Sequence, residues 1–224
     1  MSNIPMITKL FDLEHTIAKP FLLRCTYPWE ALSGLSDFIR ELGNTLDPEI
    51  YTQTAENVWI AKDAHVAPSA SISGPCIIDR GAEIRHCAFI RGSAIIGKNS
   101  ILGNSCEIKN SIIFDDAQAP HYNYIGDSIL GWHAHMGAGS ITSNVKSDRS
   151  DVVIKCGRES AETGRYKVGA ILGDGVEVGC NSVLCPGTIV GRKTNIYPLC
   201  RVRGVIREDS IYKSEDNIVL KEIR

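Results

Sequence analysis

Large apolar side chains recur at every sixth residue from Ile60 to Phe114: Ile60, Val66, Ile72, Ile78, Ile84, Ile90, Ile96, Leu102, Ile108 and Phe114. For most of that run a small side chain follows four positions later, as in Ala64, Ala70, Cys76, Ala82, Ala88, Ala94, Ser100 and Cys106. A period of six fits neither the 3.6 of an amphipathic helix nor the 2 of an ordinary strand. It fits a coil of three short strands per turn, in which the large residue fills the interior of each face and the small one sits at each corner. Hydrophobic residues make up 43% of the chain, so an unbroken run of this length arises by chance roughly once in several thousand. The run therefore predicts an all-β solenoid. The period returns in Leu172, Val178, Leu184, Val190, Ile196 and Val202, with Val176, Ser182, Thr188, Thr194 and Cys200 at the fourth place. Between the two blocks Tyr124, Leu130, Met136 and Thr142 keep a looser version of it, which places Tyr124 on the inward beat.

The segments without the period divide the chain. Residues 1–55 read as an N-terminal helical cap or extension, 56–206 as the solenoid with a charged insertion at 145–167, and 207–224 as a C-terminal cap. In the first segment Trp29, Leu32, Leu35, Phe38, Ile39 and Leu42 have helical spacing. Pro28 suits the first turn and Gly43 the exit, which predicts one amphipathic helix of about 15 residues. Its expected place is the open N-terminal end of the solenoid, where it would cover exposed core and strand edge; a regulatory arm is the alternative. In the insertion, Val152–Cys156 and Arg165–Val168 flank a polar tip from Gly157 to Gly164. This predicts a protruding loop or hairpin, read either as a solvated insertion or as a flap over a site or a contact to a neighbouring subunit.

Charge and cysteine content narrow the function. With 24 Lys and Arg against 26 Asp and Glu, the net charge is -2, which argues against a general polyanion-binding surface. No apolar run is long enough to span a bilayer, and the start Met-Ser-Asn-Ile-Pro-Met lacks the basic and apolar regions of a secretion signal, so a cytoplasmic location is expected. Eight cysteines contain no C-x-x-C pair. Three of them, Cys76, Cys106 and Cys200, fall on the small-residue beat, and the set reads as reduced thiols with no metal site.

The period breaks after Phe114, at Asp115-Asp116-Ala117-Gln118-Ala119-Pro120, and a break is where a solenoid can place chemistry. Beyond it come His121-x-x-Tyr124-x-Gly126-Asp127 and Gly137-Ala138-Gly139-Ser140-Ile-Thr-x-Asn144. These motifs, set in a hexapeptide solenoid, resemble the acetyltransferase domain of the bifunctional glucosamine-1-phosphate acetyltransferase/N-acetylglucosamine-1-phosphate uridyltransferase family, over roughly residues 58–206. The resemblance implies a left-handed parallel β-helix, a homotrimer with sites between subunits, acetyl-CoA as co-substrate and a place in UDP-GlcNAc biosynthesis. No Gly-rich, Arg-containing phosphate loop opens the chain, so a nucleotidyltransferase domain is not expected.

The residue roles come from the same resemblance. His121 matches the general base, which a sugar ammonium needs before its nitrogen attacks a thioester. Asn144 matches an asparagine beside the base and acetyl group. Arg91, Lys109 and Lys167 match three cations on the sugar phosphate, and Tyr124 a tyrosine contacting it. The amides around Ala138 and Gly139 are expected to serve acetyl-CoA or the oxyanion. Cys180 stands where the family has a serine near the coenzyme, and Arg201, Arg203 and Lys221 are candidate contacts to its phosphates. His135 departs from the pattern, since the family has there an asparagine that touches the acceptor sugar, and imidazole differs from an amide in reach. Two other readings compete: a trimeric scaffold or sugar-nucleotide-binding protein without turnover, and a zinc enzyme of the carbon dioxide-hydrating β-helix type using His121, His133 and His135, whose H-x-H spacing does not match that family.

Overall fold

In a computed structural model, residues 3–222 are described. Met1 and Ser2, which belong to the N-terminal extension, and Ile223 and Arg224, which belong to the C-terminal tail, lie outside the described residues. The chain is a parallel β-helix. Its short strands stack in parallel into three sheets of nine, nine and seven strands, the longer two each finished by an antiparallel strand. The first face starts at Val58–Ala61, the second at His65–Val66 and the third at Ser71–Ile72. Most corners contain a residue with positive φ, such as Asn99 (φ 54), Asn181 (φ 54) and Gly175 (φ 65), which turns the chain sharply from one face to the next.

The interior follows the sixfold beat, then departs from it at two corners in the middle of the stack and at a third, between Val202 and Ile206, in the last coil. Ile78, Ile96, Ile113, Leu130, Leu172 and Val190 stack in register inside the first face. The steps from Ile96 to Ile113 and from Ile113 to Leu130 are each one residue short of eighteen, and the missing residue is lost both times at the corner from the third face to the first. A slip of one residue exchanges the inner and outer sides of a strand. Ile113 thus fills the interior, and Phe114 instead turns outward against Phe11, with ring centroids 4.9 Å apart. Ile125 is the inward residue of its strand, and Tyr124 is not on the inward beat; it lies half-buried on the outer surface of the third face. Leu130, Met136 and Thr142 are inward and fully buried, as their spacing predicts.

A second apolar column explains the N-terminal segment. Trp59, Ile77, Ile95, Ile112, Ile129, Ile171 and Ile189 immediately precede the inward residues of the first face and point outward from it. The first face is therefore apolar on both sides, as in a sheet covered by helices. A 3-10 turn at Pro28–Glu30 leads directly into the helix Ala31–Gly43. The helix lays Leu32, Leu35, Phe38 and Ile39 on this column, and the shorter helices Ile7–Leu10 and Lys19–Leu22 add Ile7, Leu10 and Leu22. Gly43 serves by lacking a side chain, since a Cβ there would lie 2.4 Å from the Trp59 ring. The expected cover over the end of the coil is thus corrected to a strap along its flank. Val66, inward in the first coil, remains 36% exposed.

The insertion is also corrected. Val153–Cys156 and Glu159–Glu162 form an antiparallel hairpin with a tip at Gly157-Arg158, shorter than the sequence predicts. Val152 and Ile154 are fully buried in the same cluster as the strap, so the hairpin packs on the first face beside the helices and does not protrude as a flap. Arg165 bonds Ser33 Oγ and, at 3.3 Å, the Leu32 carbonyl, joining hairpin to helix. At the C-terminal end Ser210–Ser214 continues the second face and pairs with Asn217–Leu220, and Tyr212, 2% exposed, fills the last coil. Among the described residues no helix is long and apolar enough to cross a membrane.

Candidate active site

The outward surface of the third face carries the polar cluster. In register from coil to coil, its first outward column reads Ser71, Phe89, Glu107, Tyr124, Ile141, Val183 and Arg201. Two residues further along each strand stand Arg91, Lys109, Gly126, Cys185 and Arg203. The alternation of a strand therefore brings Arg91, Lys109 and Tyr124 to one surface. Arg91 donates to Glu107 Oε1 at 2.7 Å and lies over the Phe89 ring at 5.9 Å. Lys109 Nζ stands 3.5 Å from Asp127 Oδ2. Both cations thus have a carboxylate partner within the chain.

Tyr124 and Asn144 meet over Gly126. Asn144 Nδ2 donates to Tyr124 Oη at 3.2 Å and to Asp127 Oδ2 at 2.6 Å. Burial pushes the Tyr124 phenol above its ordinary range, the carboxylates of Asp127 and Glu107 add to that, and Asn144 and Arg91 partly offset it. The phenol stays protonated at neutral pH and, while accepting from Asn144, keeps its O–H for another acceptor. Gly126 makes the arrangement sterically possible, because a Cβ there would lie 2.5 Å from Tyr124 Oη and 2.8 Å from Asn144 Nδ2. Gly126→Ala should break the Tyr124–Asn144 bond and lower turnover by about 10- to 100-fold, the loss expected for one or two hydrogen bonds in a site. A steady-state assay beside a thermal melt checks it, the melting temperature being expected to fall by only a few degrees.

His121 closes its strand at the corner between the second and third faces. Its imidazole is exposed, and its backbone N–H donates to Asn123 Oδ1 at 3.2 Å. Asn123, 2% exposed, also donates to the carbonyls of Gly137 and Ser140 at 2.9 and 3.0 Å. This buried amide ties the His121 corner to the Gly137–Ser140 turn directly above it. Gly139 N–H is spent on the His121 carbonyl at 3.0 Å, so the expected role of that amide toward coenzyme or oxyanion is corrected. Among the described residues the Ala138 N–H has no acceptor and remains available. Cys180, exposed with a free thiol, follows on the same corner one coil later, where Asn181 N–H reaches the Ala138 carbonyl at 2.9 Å.

The remaining sequence candidates lie elsewhere. His135 is on the second face, its Nδ1 2.8 Å from Glu177 Oε2, and it does not join Tyr124 and Asn144 within one chain. Lys167 stands at the base of the insertion, bridged through its backbone to Val145, with its ammonium 5.8 Å from the Tyr166 ring centroid. The next residue, Val168, donates its N–H to the Asn144 carbonyl at 3.1 Å, so the return of the insertion borders the site. Arg201, paired with Glu215 at 3.0 Å, and exposed Arg203 sit three coils beyond Tyr124, about 14 Å at the usual strand spacing. His133 is exposed and tilts against Trp132, away from His121. Among the described residues no group of three or more His, Cys, Asp or Glu side chains is placed to hold a metal ion. The sequence names Asp127 in its motif without a role for it, and singles out none of Glu107, Asn110 and Asn123. The equal 17-residue spacing of Asn110, Asp127 and Asn144 is the signal that marks two of them.

A coil of hexapeptides carrying this cluster on one outer face defines the class of hexapeptide-repeat β-helices. Within that class the chain belongs to the family described as the GMPPB C-terminal domain, which matches residues 72–193. It is 33% identical over 199 residues to the bifunctional protein GlmU of Methanococcus maripaludis (strain C5), a match covering 88% of this chain and 48% of that protein. It is 34% identical over 94 residues to the bifunctional sugar-1-phosphate nucleotidylyltransferase/acetyltransferase of Sulfurisphaera tokodaii, covering 42% and 23% respectively. The solved polySia-specific acetyltransferase NeuO is similar at 14% identity and a TM-score of 0.43, over 75% of this chain and 88% of that one. The chain spans about half the length of the curated GlmU relatives it matches most extensively.

Proposed function

We propose that this protein is an acetyl-CoA-dependent N-acetyltransferase acting on a phosphorylated amino sugar, most simply glucosamine-1-phosphate. The observation that carries the reading is the hydrogen-bonded set Tyr124–Asn144–Asp127 beside Arg91 and Lys109, one corner from an exposed His121. The family and the GlmU relatives support it. His121 takes a proton from the acceptor nitrogen, and the nitrogen lone pair attacks the carbonyl carbon of the acetyl thioester. The C–N bond forms, the C–S bond breaks, and the thiolate leaves as the free thiol once protonated, with no covalent enzyme intermediate. The Ala138 N–H supports the oxygen on which negative charge develops.

Arg91 receives the phosphate by releasing Glu107. That ion pair is half-exposed, with side chains 45% and 34% accessible, and solvent screens such pairs strongly, so a dianion can displace it. Lys109, already beside the face, and Lys167, at its edge, complete the clamp. The coenzyme runs from the Ala138–Cys180 corner along the later coils, where Arg201 and Arg203 meet its phosphates. His135, on the second face, reaches an acceptor held on the third only from a neighbouring copy, which fits a homotrimer with sites between subunits. The product then feeds sugar-nucleotide synthesis in the cytoplasm.

The test is thiol release from acetyl-CoA with glucosamine-1-phosphate. Release dependent on the sugar, with N-acetylglucosamine-1-phosphate formed, supports the proposal. No release with a panel of amino-sugar phosphates, together with no CoA binding by calorimetry, overturns it in favour of a scaffold.

A further inference from the structure

Asn110, Asp127 and Asn144 occupy equivalent places in three successive coils, at the corner from the third face to the first. Two of them, Asn110 (φ 47) and Asp127 (φ 49), take the left-handed backbone that Asn and Asp tolerate best. Asp127 is 2% exposed. Its Oδ1 accepts from Asn110 Nδ2 at 2.8 Å and its Oδ2 from Asn144 Nδ2 at 2.6 Å, with Lys109 Nζ at 3.5 Å as the nearby positive charge. Asn110 Nδ2 also donates to the Leu32 carbonyl at 3.3 Å, which anchors the ladder to the covering helix.

The count of donors decides what Asn144 can offer. Its NH₂ has two hydrogens, and two acceptors take them: Asp127 Oδ2 and Tyr124 Oη. The carbonyl oxygen is what remains. We infer that Asp127 is a positioning residue that fixes the amide of Asn144, so that Asn144 presents a hydrogen-bond acceptor to the N–H of the attacking amine. The inference rests on the transferase reading of the site. It divides the work between two groups: Asn144 orients the nucleophile, and the Ala138 N–H, not Asn144, faces the oxyanion. It also explains why a carboxylate is needed at 127. An amide there would give its oxygen to Asn110 and turn its own NH₂ toward that of Asn144, and two facing donors would drive the Asn144 amide to flip.

The experiment compares the full chain with Asp127→Asn and with the double variant Asp127→Asn/Asn144→Asp. Asparagine suits the backbone at 127, so both variants are expected to fold, and melting curves verify it. Two readouts are taken: kcat, and hydrogen-exchange protection of the side-chain NH₂ pair in ¹⁵N NMR. The wild-type Asn144 pair is assigned by its loss in Asn144→Asp. Asp127→Asn should lose the Asn144 pair from its wild-type resonances and about 30-fold or more in kcat, with the KM for acetyl-CoA unchanged. In the double variant the amide introduced at position 127 donates to the carboxylate introduced at position 144. The second oxygen of that carboxylate again presents an acceptor, so a protected pair returns and kcat recovers about tenfold. A purely structural role for Asp127 would give no such rescue. Wild-type kcat or the Asn144 pair still at its wild-type resonances in Asp127→Asn, or a double variant no faster than the single one, overturns the inference. A wild-type chain that keeps the protected pair yet acetylates no amino-sugar phosphate overturns the transferase reading and upholds the amide orientation.

Discussion

His121→Ala should lower kcat by about 100- to 10,000-fold, the range for removing a general base, while the affinity for CoA and the melting temperature stay within error of wild type. The two unchanged quantities follow from where the side chain sits. The imidazole is exposed and has no hydrogen bond among the described residues, and the corner is held through the backbone by Asn123 and Gly139. Truncation leaves that corner intact. The coenzyme contacts of the proposed site run from Ala138 toward Arg201 and Arg203, away from the imidazole. A burst-free steady-state assay of thiol release checks the prediction, with calorimetry on the same preparations. A variant with more than a tenth of wild-type turnover would remove His121 from the role of base and turn attention to the titratable groups around Tyr124.

Much of this architecture is readable in the sequence because the coil repeats its demand on each face every turn. Wherever Ile, Val or Leu recurs at six, the interior is where the count places it. The count fails where the chain drops one residue, between Ile108 and Ile113 and again between Ile125 and Leu130. A sixfold count cannot register a deletion when another apolar residue stands next in line, and Phe114 after Ile113 is such a case. The second slip is what turns Tyr124 out of the core and onto the surface, so the irregularity that misleads the count also builds the polar face. The Ile-Ile and Ile-Leu pairs at 77–78, 95–96, 112–113, 129–130 and 171–172 are visible too. Their first members say that the first face is covered on its outside, and that dictates a flank strap more strongly than any feature of the helix itself.

The polar cluster is legible in a different way. Motif spacing singles out His121, Tyr124 and Asn144, but says nothing of which donor is spent on which acceptor. The bond from Gly139 to the His121 carbonyl and the bidentate use of Asp127 depend on stacking one coil on another, and that register is set by the two shortened corners. His135 shows the same limit, since the spacing that groups it with Ala138 cannot tell that the pleat and the corner send it to another face.

Ile112→Asp should destabilise the protein by more than about 4 kcal/mol in urea denaturation, and Val66→Asp by only about 1 kcal/mol. Ile112 is fully buried on the outside of the first face, under the strap and outside the coil interior. Replacing it removes one large buried side chain, a loss of about 2–5 kcal/mol by itself, and places a carboxylate between Ile95 and Ile129 in the apolar cluster shared with the strap, a further cost of several kcal/mol. Val66 lies in the first coil at the end of the stack and is already 36% exposed, so an aspartate there can reach water. A helix capping the end of the coil would reverse the order, making Val66 critical and Ile112 a tolerant surface position. Should Ile112→Asp fail to fold, Ile112→Ala carries the comparison, with an expected loss of about 2–4 kcal/mol. The ladder extends the consequence to the site, because Asn110 holds both Asp127 and the Leu32 carbonyl of the strap. Loosening the strap frees the lower end of the ladder that orients Asn144, so folded variants of the strap should lose turnover before they lose secondary structure.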